Sequence, residues 1–123
     1  MCSSDLAAAL ALSMQAATPA PCLKDGDTVE GTFSYVVTRT HANEDRLTFV
    51  VTERPFCFRP VIFPGESEIQ GRWIQVHWSD ERTRDPGPGD GVTIEVTDCH
   101  ERGTTWHVGD IFCDARLAPR ATQ

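Results

Sequence analysis

Basic residues are scarce in this chain of 123 residues: 11 Lys and Arg stand against 18 Asp and Glu, a formal net charge of −7. Binding to nucleic acid rests on cations that neutralise phosphates, so nucleic acid is not an expected partner. Long apolar runs are missing as well. In "DLAAALALSMQAATPAPC" the stretch from Leu6 to Ala17 is free of charge, but its roughly twelve residues fall short of the twenty or so that span a bilayer, and membrane insertion is not expected. A phosphate cradle is absent, because "DPGPGDG" places prolines where backbone N–H donors would be needed. Ser34, Ser67 and Ser79 lack the context of a nucleophile elbow. The run Glu66 to Glu68 lacks the spaced oxygens and glycine of a calcium loop. There is no solenoid repeat, low-complexity tract or internal boundary, which leaves one domain.

Turning to what is present, the apolar stretch gives way to small residues and prolines before Cys22, as in a secretory signal cleaved near Ala16 to Ala20. Positions 1–21 read as a truncated secretory signal whose start, "MCSSDL", resembles translated adapter sequence; Cys2 is therefore expected to carry no function. A single barrel domain is expected over 22–118, with 119–123 as a tail, in a periplasmic or extracellular location.

From Asp25 onward helix signals nearly vanish, and runs rich in Val, Thr, Ile and aromatics alternate with Gly, Pro, Asn and Asp. In "DTVEGTFSYVVTRT" Val29, Phe33, Tyr35 and Val37 share one face, and Gly31 marks a bend or bulge. "HANED" reads as a loop. In "RLTFVVTERPFCF" Leu47, Phe49 and Val51 are expected inward, with Pro55 ending regular pairing. "RPVIFPGESEIQG" is a connection holding at most one short helical turn near 66–69. "RWIQVHWSD" sets Ile74, Val76 and Trp78 against Trp73, Gln75 and His77. "ERTRDPGPGDG" is a loop, "VTIEV" turns Val92, Ile94 and Val96 inward, and the last strand reaches "IFCDARL". These elements predict an all-β, small five-stranded OB-like barrel. A seven-stranded sandwich would need more strands than are visible.

The order "PCL", a strand opening with "GTF", "TERPFCF" ending the next, "IQVHW", "GDGVTIEV" and the terminal "TTWHVGDIFCDARL" resembles a family of small exported bacterial proteins of unknown function with an OB-like β-barrel. The resemblance runs from Cys22 to Leu117. It implies that Cys22 and Cys57 flank the first hairpin and that His100 and His107 belong to the turn joining the last two strands. It implies no activity; Cys99 and Cys113 look like additions to the pattern.

Of the five cysteines, four remain once Cys2 is set aside, and in an exported chain they read as a disulfide framework. A first hairpin turning near Asn43 would set Cys57 opposite Val29, within reach of the stretch after Cys22, which favours Cys22 with Cys57. For "CHERGTTWHVGDIFC" two registers compete. A tight turn at Gly103 and Thr104 sets His100 opposite His107, close enough to share a metal, and leaves Cys99 and Cys113 about 16 Å apart, too far to bond. A wide loop centred on Trp106 permits the bond and removes the direct His pairing. The two exclude each other unless a bulge intervenes. Oxidation being the usual fate of exported cysteine pairs, the wide loop is favoured, and no metal or cofactor is expected. Zinc held by Cys99, His100, His107 and Cys113 matches no common spacing, and neighbours on a strand point to opposite faces.

Binding is expected on the barrel face or loop rim, at Trp73, His77, His100, Trp106 and His107, with an unknown protein or small ligand as partner. Trp73 and Trp106 read either as an interaction patch or as caps on the barrel core, the caps being favoured. One alternative is a hydrolase or metal-dependent enzyme using His77, His100 or His107 with Asp80, Asp98 or Asp110, in which Asp80 or Glu81 would orient His77. A structural envelope or host-interaction protein is the other.

Overall fold

A computed structural model of the chain describes residues 21–40, 43–101 and 108–118; the expected secretory segment before Pro21, Trp106, His107 and the tail lie outside them. Five strands, β1 (Thr28–Thr40), β2 (Asn43–Phe58), β3 (Ile69–Trp78), β4 (Gly91–Glu101) and β5 (Ile111–Leu117), close into a barrel in the order β1-β2-β3-β5-β4. Neighbours are antiparallel except β3 and β5, which run parallel, as in an OB-like Greek-key barrel. No described residue is helical. In place of a helical turn near 66–69, a turn at Phe63 to Glu66 is closed by the Glu66 N–H donating to the Phe63 carbonyl at 3.0 Å. Pro64 in its second position suits a β-turn, and Ile69 already opens β3.

The interior is filled by alternate residues of all five strands, among them Val29, Val50, Ile74, Val76, Ile94, Val96, Ile111, Cys113 and Ala115, each buried aliphatic contributing about 1.5–3 kcal/mol. Phe33 stacks on Trp78 with ring centroids 6.3 Å apart. On β2 the inward set differs by one residue from the expectation of Leu47, Phe49 and Val51. Val50 lies opposite both Phe33 and Ile74 and is fully buried, so Phe49 faces outward. The run Leu47 to Val51 is apolar on both faces, and cross-strand register, not alternation, decides which side is core.

β1 changes partner at Gly31, pairing with β4 over Thr28 to Thr32 and with β2 from Gly31 onward. A Cβ there would lie 2.6 Å from the Val51 carbonyl oxygen, so this close approach requires glycine. Asn43 to Asp45, expected in a loop, belong to β2, since Thr40 pairs with Asn43. That register ends at Gly31 opposite Thr52, so Cys57 is not opposite Val29. The Cys22–Cys57 disulfide forms by another route: Leu23 N–H donates to the Cys57 carbonyl at 2.9 Å, laying the N-terminal segment along the end of β2. Pro55 interrupts pairing and does not end it. The β2–β3 ladder stops at Val51 with Trp73 and resumes at Phe56 with Gly71. Arg72 Nε bridges the gap by donating to the Thr52 carbonyl at 2.7 Å, which satisfies a group the ladder leaves open.

Candidate functional site

The β4–β5 end is organised by one backbone irregularity. Thr97 pairs with Asp114 and His100 with Phe112, so Asp98 and Cys99 together face Cys113. Asp98 takes a left-handed conformation, φ 50°, the one found at the first residue of a G1-type bulge, where glycine is usual, and its N–H donates to Asp25 Oδ1 at 3.1 Å. The extra residue reverses the alternation: Ile94 and Val96 point inward before it, Cys99 and Glu101 after it. Cys99 bonds to Cys113 with Cα atoms 4.1 Å apart. His100 pairs with Phe112, so the tight-turn register that would hold the two sulfurs too far apart to bond is not formed; His107 lies outside the described residues.

Glu101 is buried and carries the most perturbed titration. Its Oε1 accepts the N–H groups of Val61 at 2.9 Å and Ile62 at 2.8 Å, and its Oε2 accepts that of Phe63 at 3.0 Å. Burial pushes the carboxyl up, but backbone N–H groups of Ile62, Phe63, Glu101 itself and Val61 outweigh it and lower the pKa from 4.5 to about 2. The effect is to hold Val61, Ile62 and Phe63 with their apolar side chains in solvent.

On the outer face residues 108–110, which lead into β5, are fastened to β3. Gln75 Oε1 accepts the N–H of Val108 at 2.7 Å. Asp110 Oδ2 accepts those of Arg72 and Trp73, each at 2.9 Å, lying so close over Gly71 that a Cβ there would meet it at 2.5 Å. Trp73 does not cap the interior; it is 42% exposed and meets the buried Phe49 edge-on, 5.3 Å between centroids. His77 is oriented by neither Asp80 nor Glu81. Its Nδ1 lies 3.3 Å from Asp114 Oδ1 on the parallel neighbour β5, while Asp80 accepts from Arg82. His100 packs on Phe112 with centroids 5.3 Å apart, and β5 runs between the strands carrying the two histidines. Among the described residues one trio of metal-ligating types converges, Cys22, Cys57 and Glu68, but its two sulfurs are bonded to each other.

A concavity lies elsewhere, on the outside of the barrel where β1 bends. It is an open groove of about 870 Å3, within the range of about 300–1,000 Å3 usual for ligand sites. Glu30 and Thr32 of β1 line it together with Val51 and Glu53 of β2. Arg72 of β3, Arg84, Pro86 and Asp90 of the β3–β4 connection, Val92 and Thr93 of β4 and Leu117 of β5 complete the lining. The connection is anchored there: Phe33 N–H donates to the Asp90 carbonyl at 2.9 Å, Gly89 N–H to the Phe33 carbonyl at 2.8 Å, and Trp78 Nε1 to Asp85 at 2.7 Å. Sequence reasoning missed this groove, because its lining comes from β1, β2, β3, β4, the end of β5 and the β3–β4 connection and no motif joins them. Comparison with protein-family models, curated proteins and solved structures gives no match.

Proposed function

We propose that the chain is an exported binding module, periplasmic or extracellular, whose groove over β1 takes an extended segment of a partner protein. The groove carries this reading. Its lining combines apolar Val51, Pro86, Val92 and Leu117 with the carboxylates of Glu30, Glu53 and Asp90 and the guanidinium groups of Arg72 and Arg84, a mixture that matches a polypeptide with side chains of both signs. The two disulfides are compatible with an oxidising compartment, and resemblance to small exported bacterial barrels points the same way. The histidine-based hydrolase gains less support, since His77 and His100 lie outside the groove lining.

Selection of random peptides displayed on phage against the oxidised protein tests the reading. Selected peptides should lose at least about tenfold in affinity, or about 1.4 kcal/mol, on Arg84→Glu or Glu53→Lys. Peptides indifferent to both reversals would place the binding surface elsewhere.

A further inference from the structure

We propose that the free edge of β1 is a self-association site at which two copies of this chain pair antiparallel about a twofold axis through Val37. Phe33 donates to and accepts from the β3–β4 connection, so by strict alternation the N–H and C=O groups of Tyr35, Val37 and Arg39 point to that same side. There β4 pairs no further than Thr32, and no described strand or turn continues beside residues 35–39. The segment is apolar along that edge: Tyr35, Val36 and Val37 are each about 40% exposed.

The other edge of the same arm shows what a protected edge looks like. On β2, residues 43–47 lie outside the β3 ladder but carry Glu44, Asp45 and Arg46, and charged side chains are the usual guard against strand pairing. Ser34 to Thr40 on β1 has one charge, Arg39, and no Lys, Pro or Gly.

The occupant follows from the register. Pairing about Val37 uses the open groups of residues 35, 37 and 39 on both copies, for six backbone hydrogen bonds. It sets Val37 against itself, Val36 against Thr38, and Tyr35 against Arg39 of the second copy. Tyr35 already carries Arg46 over one ring face, Cζ 3.9 Å from the centroid, and in this register a second guanidinium reaches the same residue. A shift to the axis through Arg39 would oppose like charges, and one through Tyr35 would claim groups of Phe33 that are already bonded. The patch is small, so association is weak, and the net charge of −7 on each copy makes it stronger in salt, which screens the repulsion.

Sedimentation equilibrium of the oxidised full chain from about 1 μM to about 500 μM should show a monomer–dimer equilibrium that tightens with added salt. Val37→Pro should abolish it without loss of fold, because that N–H points away from β2 and an edge position tolerates proline; an unchanged far-ultraviolet spectrum and melting curve are its control. Val37→Cys should link to itself on mild oxidation, as mapped by mass spectrometry, and Val36→Cys should not. A monomer at every concentration, a dimer unaffected by Val37→Pro, or equal linking of the two cysteine variants overturns the proposal.

Discussion

Glu101 holds the N–H of Ile62 at 2.8 Å across 39 positions of sequence, a tertiary bond from the end of β4 to the β2–β3 connection. Glu101→Gln keeps the size but replaces one carboxylate oxygen with an amide nitrogen that repels a donor. A loss of about 2–3 kcal/mol is expected from the charge-assisted bonds removed, read as a lower urea midpoint at constant slope. A variant as stable as the parent would show that the connection is held by its side chains alone.

The same carboxylate sets an acid window. Its pKa is about 2 in the fold and 4.5 ordinarily, so between those values the unfolded chain binds the extra proton. Its contribution is complete above about pH 4.5 and is lost progressively as the pH falls towards 2. Stability curves of the parent and of Glu101→Gln should therefore converge on acidification. A gap that stays constant down to about pH 2 would contradict this linkage.

Inserting one residue between Thr97 and Asp98 moves every later side chain of β4 by one position against β5, so that Cys99 falls opposite Phe112 and turns outward together with Glu101. The Cys99–Cys113 bond and the Glu101 clamp should be lost at once, with two thiols newly reactive under denaturing conditions. Asp98→Gly, by contrast, should keep both, since glycine adopts φ 50° at little steric cost. Thiol counting by alkylation and mass measurement distinguishes the two variants.

The double replacement of Cys99 and Cys113 by Ser should lower stability by about 3 kcal/mol, the chain-entropy value for a loop of this length. A change below about 0.5 kcal/mol, as at an ordinary surface site, would mean that the ladder already restricts this loop without the bond.

Phe49 lies outside the barrel interior but is 1% exposed beneath Trp73. Phe49→Ala should cost about 3 kcal/mol, a core-like loss, whereas Leu47→Ala on the same face, being part-exposed, should cost less. Equal small losses, measured by thermal melting, would show that the outer cluster contributes little packing.

The all-β class, the bend at Gly31, the inward faces of β3 and the start of β4, and two cysteine pairs are legible in residue order, because turn residues and period-two alternation act within a few positions. Register is different. Leu47 to Val51 is apolar on both faces, so only pairing with Phe33 and Ile74 selects Val50 as core. No local signal marks Asp98 as left-handed, yet that one residue decides that Cys99 and Glu101 turn inward and His100 outward, because one residue added to a strand reverses every side chain after it. His77 found Asp114 where its own segment offered Asp80, since parallel pairing of β3 with β5 places His77 beside a residue 37 positions away. The groove over β1 depends in the same way on distant segments meeting, which the closure of the barrel alone brings about.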